Sequence, residues 1–233
     1  MKRRSMVGMA TALAASMALT GSAQAFDGLA NGSFEIGDFN GGGAGFQTLD
    51  AGSTLLTGWT VAAGSIDWVG PAWQAPDGTK SIDLDGNAPG AISQTVATTV
   101  GNTYFVSFWL AGNPNGAPVV KTLTVSATGA APATFTFDVS NTSDTAMGWR
   151  LEGYSFVATS ASSTLTFASG DTSGGTGPTL DNVVVAETVA VGGNCKDDGW
   201  RTMSDDQGNG FKNQGDCVSY FATDGRNPGS VTP

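Results

Sequence analysis

The chain has 233 residues, with 10 basic against 20 acidic side chains, a net charge of −10 and no histidine. That balance argues against an electrostatic surface for nucleic acid or anionic lipid. The missing imidazole removes the commonest general base, the commonest zinc ligand and the usual catalytic triads.

Lys2, Arg3 and Arg4 precede an uncharged stretch of small and apolar residues from Ser5 to Thr20, and Ala23-Gln24-Ala25 has the small-x-small form of a cleavage site. Residues 1–25 therefore read as an export signal, with the mature chain starting at Phe26. Losing three basic residues takes the net charge from −10 to −13. No later stretch approaches the ~20 apolar residues of a spanning helix, so the mature protein is expected to be secreted or held at the cell surface without membrane insertion.

Asn31 to Glu35 reads as a short opening strand, followed by the glycine-rich loop 37–45. Residues 46–56 and 58–69 continue the strand pattern, and 71–79 form a loop carrying Trp73 and the turn Pro76-Asp77-Gly78. In the central stretch 80–114, Ile82 and Leu84 alternate with Ser81, Asp83 and Asp85 as in a half-buried strand. Ile92 and Val96 mark a second run. Tyr104, Val106, Phe108 and Leu110 share one face of a third, with Phe105, Ser107, Trp109 and Ala111 on the other. Residues 119–128, 133–140, 149–159, 163–169 and 179–187 extend the series to about eleven strands, separated by Gly, Pro and Asn turns. No helical periodicity is seen outside the signal. The pattern predicts an all-β chain, an antiparallel β-sandwich or jelly roll spanning 26–189.

Beyond Gly192-Gly193 the composition turns polar, and 190–233 reads as a small tail. It holds the two cysteines, Cys195 and Cys217. In an oxidising exported setting they suit one disulfide closing a loop; a two-thiol metal site is the alternative. The run 205–210 with Asp216 matches a calcium loop poorly and reads as a plain turn.

In order, NGSFE, LDAGSTLLTGWTVAAGSIDWVG, WQAPDGTKSIDLDGNAPGAISQT, YFVSFWLAGNPNGAPVVKTL, MGW and GPTLDNVVV resemble the bacterial choice-of-anchor C family. Its relatives include the plant cell-wall proteins of domain-of-unknown-function 642. The resemblance covers Asn31 to about Glu187. It implies a galactose-binding-like jelly roll of the carbohydrate-binding-module type, secreted or surface-attached, with no enzymatic activity. The sorting signal that ends many members is missing from this sequence, and the two-cysteine tail stands in its place.

The same resemblance implies a structural calcium ion held by Glu35 and Asp181 with an oxygen of Asn31, since calcium takes six to eight oxygen ligands. Ordinary strand-end polar residues are the other reading of these positions. For a polysaccharide ligand of the cell wall or matrix, the candidates are Trp68, Trp73 and Trp109 as stacking platforms, with Asp83 and Asp85 as hydroxyl acceptors. Burial in the core is the competing reading for each tryptophan. Asp83 and Asp85, about 6.5–7 Å apart on one strand face, have a spacing a glycosidase can use. Nothing nearby supplies the apolar wall that raises an acid's pKa, so no catalytic residue is assigned. A structural or adhesive surface protein with a protein partner, attached through the cysteine tail, is the alternative function.

Overall fold

The computed structural model describes residues 24–25, 28–188 and, in the tail, 195, 198–201, 203, 205 and 209–222. Most of the expected export signal, residues 1–23, lies outside them. Among the described residues, twelve strands form two antiparallel sheets: β1 (Gln24–Ala25), β2 (Phe46–Asp50), β3 (Thr60–Ala63), β4 (Ser65–Val69), β5 (Ser81–Asp83), β6 (Ala91–Ala97), β7 (Thr103–Gly112), β8 (Val120–Ala127), β9 (Ala133–Asp138), β10 (Arg150–Val157), β11 (Ser162–Ser169) and β12 (Pro178–Thr188). One sheet runs β10-β7-β12-β5-β4-β2, with β1 added beside β12; the other runs β3-β6-β11-β8-β9. This is the expected sandwich.

Its core follows from two-residue alternation. Tyr104, Val106, Phe108 and Leu110 on β7 are at most 1% exposed, and Leu123, Val125, Leu165 and Phe167 face them from the five-stranded sheet. Phe108 binds the layers together. Its ring meets Phe135 at 5.2 Å and Phe167 at 5.4 Å, both edge-on, the geometry that aromatic quadrupoles favour.

The chain changes sheets at Gly64, between β3 and β4. Gly64 has φ +57°, and a Cβ there would lie 2.0 Å from the Pro89 carbonyl oxygen, so only glycine makes this corner. In β12 the register slips between Asp181 and Val184. Asn182 adopts φ +45° at that bulge, and the slip brings Val183 and Val185 to the buried face that Leu180 occupies.

Three local expectations are corrected. Asn31 to Glu35 is a turn, not a strand, with Asn31 and Phe34 at φ +52° and +57°. The Asn31 side chain clasps it, donating to the Ile36 and Thr57 carbonyls and accepting from Ile36 N–H. The strand of Ile82 is not half-buried: Ser81, Asp83 and Asp85 are as fully enclosed as Ile82 and Leu84, because loops cover the outer face. The tail contains a helix, α1 (Gln214–Ala222). Asn213 caps it by accepting from Asp216 N–H, while the Asp216 carboxylate accepts from Lys212 N–H, a start signal too short to register as periodicity. Cys195 and Cys217 form the disulfide and pack with Phe211 and Tyr220 in a cluster of their own.

Because Phe108 touches rings from two strands of the opposite sheet, Phe108→Ala is expected to lower stability by about 3–5 kcal/mol, measured as a fall in the urea midpoint at unchanged m-value.

Candidate functional site

On the face of the seven-stranded sheet turned from the core, cross-strand pairing puts Thr48, Asp67, Asp83 and Thr179 in one row. The loop 71–80 folds over this face. Two carboxylates clamp it down. Glu35 accepts from Thr79 N–H and Lys80 N–H at 2.7 and 2.6 Å and from the Lys80 ammonium at 3.1 Å. Asp181 accepts from Asp77 N–H at 3.0 Å and Asn182 N–H at 2.6 Å. Burial pushes the Glu35 carboxyl up, but the Thr79 and Lys80 donors bring it below its ordinary value. Asp181 is wholly buried, and burial raises it to about 7 despite its two N–H donors, with the charges of Asp77 and Glu35 adding to the rise.

The structure therefore brings Glu35 and Asp181 to one loop, as the calcium expectation requires, but the donor set does not fit the ion. An ammonium sits on Glu35, and the carboxylate oxygens of both residues already face N–H or O–H donors. Asn31 turns its oxygens elsewhere, its side chain to Ile36 N–H and its carbonyl to Trp59 Nε1–H and Phe34 N–H. Among the described residues no three acidic or cysteine side chains converge as a metal-holding group.

Between the loop and the sheet opens a cleft of about 250 Å³. Trp73 and Phe46 supply its apolar surface, Asp67, Asp83 and Asp144 its carboxylates, Asn113 and Asn115 its amides. Trp73 is held by its Nε1–H donating to Ser81 Oγ at 2.8 Å. The next residue ties the walls together: Gln74 N–H donates to the Asp144 carbonyl, and the Gln74 carbonyl accepts from Trp149 Nε1–H. Asp67 accepts from Thr48 Oγ1–H, and Asp144 from Asn115 Nδ2–H. Burial raises the pKa of Asp67, an effect the Thr48 bond moderates.

Asp83 forms the floor. It accepts from Asn113 Nδ2–H at 2.8 Å and from the Asp85 and Gly177 N–H groups, both at 2.9 Å. Burial outweighs these three donors and raises it to about 7. Gly177 has to be glycine, because a Cβ there would lie 2.5 Å from Asp85 Cγ and 2.9 Å from Asp83 Oδ1.

The other candidates fall elsewhere. Trp68 is fully buried in the core, its Nε1–H donating to the Phe34 carbonyl; both ring faces are covered, so it cannot be a stacking platform. Asp85 is wholly buried and does not line the cleft, so its carboxylate cannot meet a ligand there. Trp109 is half-buried on the same sheet face but outside the cleft, paired with Asp181 and with Leu151, which is 58% exposed. Sequence reasoning missed Phe46, Asn113, Asn115 and Asp144 as wall residues. It also passed over Lys121, fully buried in line with Leu123 and Val125. The signal was present: a cation at an inward position of an alternating strand.

Among solved structures the fold is similar to a CBM4 module (15% identity, 69% of this chain and 99% of that chain, TM-score 0.39). It is likewise similar to TmCBM61 in complex with beta-1,4-galactotriose (16%, 71% and 99%, TM-score 0.39) and to a family 35 carbohydrate-binding module from Clostridium thermocellum (13%, 60% and 97%, TM-score 0.38). The chain belongs to the family of proteins of unknown function DUF642, whose model matches residues 27–186. Halomucin of Haloquadratum walsbyi (strain DSM 16790 / HBSQ001) is 33% identical over 168 residues, 68% of this chain and 2% of that far longer protein.

Asp83, Asp85 and Asp181 all have folded-state pKa values raised above the ordinary 3.8. Each binds its proton more tightly when folded, so the stability it contributes is complete below pH 3.8 and is lost as pH rises through about 6 to 7. In chelator at constant ionic strength, the melting temperature is expected to fall across that window, and Asp83→Asn to make the fall shallower.

Proposed function

We propose that the domain is a secreted, non-catalytic carbohydrate-binding module that holds a neutral polysaccharide of the cell wall or extracellular matrix in the Trp73 cleft. The observation that carries this reading is the pinned indole of Trp73 beside the carboxylates of Asp67 and Asp144 and the amide of Asn115, in an open cleft lined by no lysine or arginine. A fixed aromatic face stacks on the C–H face of a sugar ring, and the polar rim accepts and donates to its hydroxyls. Carboxylates without a cationic partner at the rim disfavour uronic acids and sulfated glycans.

Binding without bond cleavage is supported by the state of the paired acids. Asp83 is enclosed and spends its oxygens on three donors, and Asp85 is out of reach of the cleft. Neither is free to protonate a glycosidic oxygen or activate water. The remaining assignments belong to the same reading: residues 1–25 act as a removed signal, 26–189 as the binding domain of a choice-of-anchor C protein, and 190–233 as a disulfide-closed appendage. Among the described residues no helix is long and apolar enough to cross a membrane.

Glycan-array screening followed by calorimetry of the best neutral ligand tests the proposal. Trp73→Ala is expected to weaken that binding about tenfold or more, the scale of one lost stacking contact, whereas Trp109→Ala leaves it within about twofold. An array without a binder, or equal affinity in Trp73→Ala, refutes it.

A further inference from the structure

Behind the cleft floor lies a second group of charges that sugar recognition leaves unused. Asp85, Asp171 and Lys121 meet there beside Asp83, each within electrostatic reach of Lys121. The Lys121 ammonium is fully buried and spends its hydrogens on the Gly116 carbonyl at 2.9 Å, the Thr176 carbonyl at 2.7 Å and Thr176 Oγ1 at 3.2 Å. It makes no hydrogen bond to a carboxylate. Both carboxylate oxygens of Asp85, which is 0% exposed, are buried without a hydrogen-bond donor, as is Oδ2 of Asp171. The Ser169 hydroxyl is near enough to moderate the rise in the Asp85 pKa that burial causes, but its geometry falls short of a hydrogen bond.

Buried carboxylate oxygens without donors are costly and rare. Asp85 and Asp171 set two carboxylates against one ammonium, while the oxygens of Asp83 stay with their own three donors. The donors are hard oxygens, with neither imidazole nor thiolate among them, which selects a hard divalent cation over a transition metal. Asp171 as a residue is half-buried.

We propose that Asp85 and Asp171 bind a divalent cation of the calcium class in this recess, separate from the Glu35–Asp181 clamp. Asp83 has its oxygens on Asn113, Asp85 and Gly177, so direct ligation falls to the two other carboxylates, with carbonyl and water oxygens completing the shell. The ion fastens the loop 170–177, which already donates from Gly175 N–H to the Asp85 carbonyl and from Asp171 N–H to Ser169 Oγ. The same loop places Gly175 and Thr176 in the cleft wall, so cation loading strengthens ligand binding. That coupling rests on the carbohydrate reading; the cation site itself does not.

The test is a thermal melt of the full chain at about pH 7.5 after dialysis against chelator, with calcium added to about 5 mM, above the dissociation constants of extracellular calcium modules. The expected result is a rise in melting temperature of about 3 °C or more, abolished in Asp85→Asn and in Asp171→Asn and retained in Glu35→Gln. Should Asp85→Asn fail to fold, the half-exposed Asp171→Asn gives the same readout. An unchanged wild-type melt with no calorimetric heat on calcium addition overturns the proposal. So does a shift that survives in Asp171→Asn and disappears in Glu35→Gln, which puts the ion at the clamp. The melt involves no sugar, so failure to bind any glycan leaves the cation result standing.

Discussion

The carboxylate of Asp83 is the joint on which the site depends. It gathers a side-chain amide from just past β7, a backbone N–H from just past β5 and another from the lead-in to β12. Backbone bonds already join these three segments, from Asn113 N–H to the Gly177 carbonyl and from Leu84 N–H to the Pro178 carbonyl, and the carboxylate locks them a second time. An enclosed carboxylate without partners would be strongly destabilising; with three N–H donors it becomes a rigid floor. Its position over Gly177 explains why the loop enters β12 so closely. The cleft exists because that floor is fixed and the loop 71–80 is fixed above it.

The loop is held by a different device. Glu35 and Asp181 come from opposite ends of the domain sequence, yet both accept backbone N–H groups of residues 77–80. The charge of Glu35 makes its bonds stronger than neutral ones, and Lys80 balances part of that charge within the same segment. Trp149 and Asp144 then grip Gln74 from the side. A tryptophan at position 73 is thus presented by backbone clamps on both flanks. A binding surface loses less entropy on binding when its aromatic anchor is already immobile.

Much of the fold was legible from residue order. Alternation placed Tyr104, Val106, Phe108 and Leu110 on the buried face of β7, and the strand runs from Val119 to Glu187 fell close to their observed bounds. The site was legible only in part. Trp73, Asp83, Glu35 and Asp181 were all marked, and each takes part in the cleft or its supports. Trp68 was marked as well, although the β4 alternation that buries Ile66 buries it too. A tryptophan's chemistry is the same on either face of a strand; its face depends on register, and register on the partner strand.

The sequence by itself determined the two-layer β architecture, the acidic character, the disulfide pair and the small set of aromatic and acidic residues from which a sugar site can be built. These follow from local periodicity, composition and a two-member cysteine count, none of which needs long-range information. Tertiary structure alone decided that Asp85 is sealed while Asp67 is reachable, and that Asp144 joins Trp73 in the lining of one cleft. Burial and proximity depend on which strands pair and which loops fold over them. Residues separated by 60 to 150 positions carry no mark of one another until the sheets close.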